Sequence, residues 1–242
     1  MSINKLENET TLIIRDIPIK IVRKSIKNLH IGVYPPDGYV RVAAPLHLTE
    51  DNIRLAIISR LSWIKKQQTK FQEQPRESKR EMVAGESHYV FGHRYRMEVI
   101  ERPGNHEVVI INNNIIQLFI HPGTSSKNRA LVLTEWYREQ LKLKIPDLLN
   151  KWQSIIGEQV ADWGIKKMKT KWGSCNIKER RIWLNLELAK KPIECLEYVL
   201  VHELVHLLER HHNERFQAYM DQYLPQWRQC REILNREPLA NI

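Results

Sequence analysis

The chain has 242 residues, 42% of them hydrophobic and 27% charged, with a formal net charge of +10. That length allows one large domain or two modest ones, and the composition is that of a soluble globular protein. Membrane-spanning classes are excluded, because no stretch approaches the roughly 18 apolar residues that crossing a bilayer requires. The positive surplus suits an acidic partner such as nucleic acid, although a lysine-rich solvated surface is the simpler account of charge taken alone.

Cys175, Cys195 and Cys230 form no CxxC pair, which excludes zinc-ribbon and thioredoxin-type sites; so sparse and odd a set fits a reducing compartment. The N-terminal residues Met1 to Glu9 lack the apolar run of a signal peptide, so the expected location is cytoplasmic. No internal repeat is legible.

In chain order, short strands are expected at 12–14, 19–22, 29–34 and 39–43, punctuated by Pro18, by the hairpin signal Pro35-Pro36-Asp37-Gly38 and by Pro45. Thr49 is placed as an N-cap with Glu50 and Asp51 in the first turn, and Ile53, Ala56, Ile57, Leu61 and Ile64 carry a helix from 50 to about 72. The charged segment 73–81 reads as an exposed connection. Strands resume at 89–91, 94–100, 107–111 and 115–120, with turns at Pro103-Gly104 and Asn112-Asn113-Asn114. After Gly123, apolar residues from Ala130 to Ile156 support a long helix, kinked or split at Pro146. A strand segment follows from 166 to about 186. The next helix runs from Pro192 to about Arg210, and two more finish the chain, the last opened by Pro225. The fold class is therefore α+β, with a β-rich first half and a mainly helical second half. The boundary is expected near 122–128, giving residues 1–124 to recognition of a substrate or partner and residues 125–242 to the chemistry.

That chemistry is carried by Val201-His202-Glu203-Leu204-Val205-His206, an H-E-x-x-H inside an apolar helical pattern. At about 100° per residue, His202 and His206 face one way and can offer two nitrogens to one Zn²⁺. Glu203 projects about 100° further round, poorly placed as a ligand but well placed to activate a metal-bound water as general base. A third protein ligand is needed. His212 has the 0/4/10 spacing found in zinc peptidases, but an unbroken helix would carry it about 15 Å away, so the chain must turn back near Arg210 or His211. A glycine usually makes that turn, and here Glu209 stands in its place; His211 in a left-handed conformation is the proposed substitute. His211 and Glu209 are the rival third ligands. Leu200, Val201, Leu204, Val205, Leu207 and Leu208 bury the helix on most sides, and polar groups there need a partner that a metal would supply.

Upstream, Met168-Lys169-Thr170-Lys171-Trp172-Gly173-Ser174-Cys175-Asn176 reads as a strand, with Met168, Thr170 and Trp172 on one face and Lys167, Lys169 and Lys171 on the other. Trp172, Gly173 and Ser174 are the candidate substrate-binding residues, since an extended peptide can pair with such a strand. Lys171-Trp172-Gly173-Ser174-Cys175-Asn176, Leu184-Asn185, Pro192, His202 to Leu207, His212, Phe216 and Tyr223 to Arg228 together resemble the YgjP-like (WLM/SprT-related) zinc metallopeptidase family. The resemblance implies a zincin-like fold with the H-E-x-x-H helix beside a small sheet. It also implies Zn²⁺ held by His202, His206 and His212, a catalytic Glu203, a cytoplasmic protein, and the Trp172–Asn176 strand beside the active-site helix. Gln217 departs from the family's frequent aromatic residue, which should alter packing below the site.

The expected function is a zinc-dependent metallopeptidase acting on a protein or peptide substrate. The alternative is a DNA-binding module whose zinc site is structural or vestigial, resting on the net charge and on Lys166, Lys167, Lys169 and Lys171; a peptidase recruited by DNA would combine the two. Relatives in the wider group cleave proteins on DNA. Cys195 is expected to be buried rather than a ligand, and Cys175 to pack in its strand. Tyr198, Arg181 and a backbone N–H of the Trp172 strand are the candidates for stabilising an oxyanion.

Overall fold

A computed structural model describes residues 9–34, 37–73 and 81–236. Eleven strands and six helices occur among them, in the expected α+β mixture. Two compact units divide the chain, one carrying the described residues up to 73 and the other those from 81 onward. The division therefore lies well before the expected 122–128.

The first unit is a mixed sheet closed by two helices. Strands β1 (Glu9–Ile14), β2 (Ile17–Lys24), β3 (His30–Tyr34) and β4 (Tyr39–Pro45) lie in the order β1-β2-β4-β3. The outer pairs are antiparallel and the central pair, β2 with β4, is parallel. Pro18 sits inside β2, opposite Ile13, rather than before it. Thr49 caps α1 (Glu50–Ser59) by accepting a hydrogen bond from the Asn52 N–H at 3.3 Å. The single expected helix is two: Arg60 breaks the pattern before α2 (Leu61–Glu73). Both helices still present one apolar face, since Ile53, Ile57, Leu61 and Ile64 pack on Ile19, Ile21, Val40 and Val42. Pro35 and Pro36 of the expected hairpin turn lie outside the described residues, as does most of the expected connection at 73–81.

The second unit opens with β5 (Ser87–Val90), β6 (His93–Glu101), β7 (Glu107–Asn112) and β8 (Ile115–Ile120), in the order β5-β6-β8-β7. The outer pairs are again antiparallel and the central pair again parallel. This is the first sheet repeated. Buried Ile14 and Val90, Val40 and Ile116, Val42 and Leu118, and Ile57 and Leu133 are each 76 residues apart. The caps Thr49 and Ser125 share that spacing, and each accepts from an asparagine N–H three residues on. Apolar character alone is kept between the copies, which is why no repeat shows in the residue letters.

Helix α3 (Ser126–Ile156) passes unbroken through Pro146, whose ring faces outward, and ends at Gly157 in a left-handed cap. Its buried face is shared by the second sheet and the helices that follow, in one core that joins Met97, Ile116 and Leu118 to Leu141, Leu200 and Leu204. That shared core moves the boundary: the second sheet cannot leave without exposing the helices.

The expected strand over 166–186 is three strands, β9 (Asp162–Lys166), β10 (Gly173–Asn176) and β11 (Arg181–Asn185), followed by a 3₁₀ turn at Leu186–Lys190. They pair in the order β10-β11-β9, leaving β10 at an edge. The chain finishes with α4 (Ile193–Val205), α5 (Glu214–Tyr223) and α6 (Trp227–Arg236). Among the described residues no helix is long and apolar enough to cross a membrane.

Candidate metal centre

Helix α4 carries the H-E-x-x-H segment and is held at its start and along its first half. Pro192 caps its start. There the Phe91-Gly92 turn of the second sheet docks, with the Phe91 N–H donating to the Ala189 carbonyl at 2.8 Å and Gly92 to that of Lys190 at 3.3 Å. From α3, the Lys151 ammonium and the Trp152 indole N–H both donate to Glu197, at 2.7 and 2.8 Å.

The helix ends at Val205, earlier than the expected Arg210. His206 is its C-cap, and i to i−3 bonds from Leu207 to Leu204 and from Leu208 to Val205 tighten the last turn. The Glu209 carboxylate then accepts from the His211 N–H at 3.0 Å, and Asn213 caps α5 through the Phe216 N–H at 3.0 Å. Among the described residues, positive φ outside glycine is confined to Arg15, Asp16, Met82, Phe91 and Arg180, so His211 is not left-handed as expected. A side-chain hydrogen bond from Glu209 replaces the glycine.

This reversal brings His212 back over the helix. The Nε2 atoms of His202 and His212 are 2.9 Å apart, and the ligand atoms of His202, His206 and His212 all lie within 4.8 Å of one another. Tetrahedral coordination with Zn–N bonds of 2.0–2.1 Å requires donor atoms about 3.3 Å apart, so small adjustments admit an ion. The His206 Nδ1 donates to the Glu209 carbonyl at 3.2 Å, which leaves its Nε2 lone pair free for the metal. The buried Nδ1 of His202 has no hydrogen-bond partner among the described residues. Phe216, itself buried, packs its ring 4.7–4.9 Å from all three imidazoles and fixes them from behind. The rival ligands are excluded from this group: His211 and Glu209 bond to each other, and neither belongs to the cluster. Gln217 is exposed and does not pack below the site as expected.

The electrostatics suit a cation. Burial, reinforced by the neighbouring imidazoles, pushes His202 down to about 3, and burial likewise lowers His206 and His212, so the three imidazoles stay neutral. Burial pushes the Glu203 carboxyl up to about 8, with Lys171 opposing it. A divalent ion alongside would favour the carboxylate.

Gly173 supplies the room that Glu203 needs. A Cβ there would stand 2.5 Å from the Glu203 Oε1 and 2.8 Å from Val199 Cγ1. Side chains of α4 thus fill the space that a side chain at this position would take. Residues 167–172 are a loop rather than the expected strand, so Met168, Thr170 and Trp172 share no face. Fully buried Asn185 shapes that loop, donating from Nδ2 to the carbonyls of Met168 and Lys171 at 2.9 and 2.7 Å; its own backbone N–H donates to that of Trp172 at 2.9 Å. Asn185 belongs to the residues that carry the family resemblance, but nothing in its spacing announces these hydrogen bonds.

A cleft of 530 Å³ opens over the triad, lined by Trp172, Gly173, Ser174, Tyr198, Glu203 and the three histidines among others. Of the oxyanion candidates, Tyr198 and the Trp172 segment line it; Arg181 does not, being paired with Asp162 at 2.8 Å. Arg231, Arg210 and Lys171 also line it and escaped sequence reasoning as site residues. Burial raises the Cys175 thiol to about 11, with Glu203 adding to the effect, which makes it a poor ligand; Cys195 is fully buried against the Cys230 carbonyl.

Residues 27–237 match the family described as YgjP-like, metallopeptidase domain. No curated protein matches. Similar solved structures include the metallopeptidase zymogen abylysin of Pyrococcus abyssi (21% identity, TM-score 0.36, 40% of this chain and 99% of that one). Another is the zymogen jannalysin of Methanocaldococcus jannaschii (23% identity, TM-score 0.34, 38% of this chain and 93% of that one). The family match covers most of the sequence and includes every residue of the triad: the chain belongs to the YgjP-like metallopeptidase family.

Proposed function

We propose that this metallopeptidase uses Zn²⁺ held by His202, His206 and His212 to hydrolyse a peptide bond in an extended segment of a cytoplasmic protein. The observation that carries the reading is the convergence of three neutral imidazoles beside a buried carboxylate at the lip of an open cleft. When bound, the ion would polarise the scissile carbonyl and acidify water.

The chain's own residues supply the rest. Glu203 takes the proton of the attacking water and delivers it to the leaving amine, a role that a carboxyl raised toward neutrality suits in both directions. Strand β10 pairs on one side only, with β11, so a substrate strand can align along its free edge from Gly173 to Asn176. Asn185 is a positioning residue that holds the loop entering this strand. The Tyr198 hydroxyl, one turn before His202, lines the cleft and donates to the developing oxyanion; burial pushes its pKa up to about 12, which keeps it protonated.

Glu203→Gln is expected to retain about one zinc per chain, by metal analysis, while losing cleavage of an unfolded protein by more than about a hundredfold. Undiminished cleavage by that variant would contradict the mechanism.

A further inference from the structure

The walls of the cleft carry one sign of charge. Viewed down α4, Val199 and Glu203 lie on one side, Tyr198 about 100° from Val199 on the other, and His202 and His206 between them. Gly173 of β10 packs against Val199 and Glu203. Trp227 of α6 stacks on Tyr198 with ring centroids 6.2 Å apart. So β10 and the loop before it flank one side of the triad and α6 the other. Lys171 belongs to the first wall and Arg231 to the second, with Arg210 beyond His206. A second hollow, of 780 Å³, shares Cys175, Ile177, His206 and Arg210 with the first and adds Lys178. The two form one groove along β10.

Glu203 is the sole carboxylate lining either hollow among the described residues. Lys171, Lys178, Arg210 and Arg231 make no ion pair with any described carboxylate. The unit does pair its cations elsewhere, as in Arg102–Glu107, Arg180–Glu158, Arg181–Asp162 and Lys190–Glu187. Unpaired charges of one sign along a concave surface add their fields, and low-dielectric walls focus them. A divalent ion in the triad would strengthen the same sign.

We propose that this groove selects an acidic peptide segment, with Lys171, Lys178, Arg210 and Arg231 as the specificity-determining residues on either side of the bond cut. The proposal rests on the peptidase reading above and names its substrate class. Acidic side chains flanking the scissile bond gain favourable contacts on both walls; lysine or arginine at the same places is repelled. Because these cations are solvent-accessible, the preference is screened by salt.

The test uses the full chain loaded with Zn²⁺ and three peptides sharing one cleavable core, flanked by Glu, by Ser or by Lys. The expected kcat/KM ratio of the Glu to the Ser peptide is about tenfold at 50 mM NaCl, falling toward one at 500 mM, with the Lys peptide slowest. Binding to the Glu203→Gln variant, read by fluorescence anisotropy, is expected to follow the same order. Arg231→Gln and Lys171→Gln, checked for an unchanged melting temperature, are each expected to narrow the ratio severalfold.

Equal turnover and equal binding of the three peptides would overturn the proposal and leave the peptidase reading standing, whereas failure to cut any peptide or unfolded protein would overturn that reading itself. Duplex DNA that displaces the Ser, Glu and Lys peptides alike, with no preference among them, would assign the cations to nucleic acid and overturn the acidic-peptide claim.

Discussion

In the first sheet the two-residue turn between β1 and β2, Arg15-Asp16, is exposed. Its counterpart 76 residues on, Phe91-Gly92, is hydrogen-bonded to the Ala189 and Lys190 carbonyls just before α4. Both turns hold two successive residues at positive φ, at 45° and 66° in the first and 45° and 82° in the second. At Gly92 another backbone comes close: a Cβ there would stand 3.0 Å from Pro192 Cα. One module of four strands and a following helix thus serves two purposes. In the first unit it closes a core of its own with α1 and α2. In the second it braces the start of α4, whose far end carries His202 and His206.

The comparison is sharpened first at the site. Gly173→Val is expected to displace the Glu203 carboxyl and reduce kcat by more than about a hundredfold while zinc content stays near one per chain, because the ligands are untouched. Loss of zinc in that variant would show that β10 holds the triad as well as the base. Core truncations should then separate the units. Phe216→Ala is expected to cost about 3–5 kcal/mol in denaturant unfolding and to weaken zinc binding about tenfold, since the ring backs all three imidazoles. Ile57→Ala should cost about 2–5 kcal/mol with zinc affinity unchanged. Equal effects of the two on zinc affinity would break the assignment of separate roles.

A smaller effect is expected from pH. In the metal-free chain the Glu203 pKa is raised to about 8 from an ordinary 4.5, so its contribution to stability is complete below the ordinary value and is lost as pH rises through the raised one. His202, His206 and His212, all lowered in the folded state, add an opposing slope while their unfolded counterparts titrate around the ordinary value of 6.5, so the Glu203 slope is read between pH 7.5 and 8, where the unfolded histidines are about nine-tenths neutral or more. Thermal unfolding there is expected to show stability falling by up to about 1.4 kcal/mol per pH unit, a slope that Glu203→Gln removes. The exchanged turns give the most direct comparison of the two modules. Gly92→Asp should destabilise by about 2 kcal/mol, through the clash with Pro192, whereas Asp16→Gly should change stability by less than about 1 kcal/mol.

Local chemistry was well written in the sequence. The eight strands of the two repeated sheets follow from alternation and turn residues, and the Thr49 cap from its hydroxyl ahead of an amphipathic run. His202, Glu203 and His206 follow from helical spacing alone, because four residues bring two side chains onto one face. Contacts set by distant parts of the chain were not legible. The unit boundary depends on α3 sharing a core with the second sheet, and apolar residues on a helix do not say which neighbour they meet. The early end of α4 depends on Glu209 catching the His211 N–H, a bond that no local pattern announces. Arg231 reaches the cleft because α6 packs on Tyr198 through Trp227, and nothing in its spacing from His202 reveals that.

The central claim is that His212 completes a three-imidazole site. X-ray absorption of the zinc-loaded protein tests it directly: three imidazole nitrogens at about 2.0 Å are expected in the native chain, and two in His212→Ala. A zinc shell unchanged by that substitution would contradict the account.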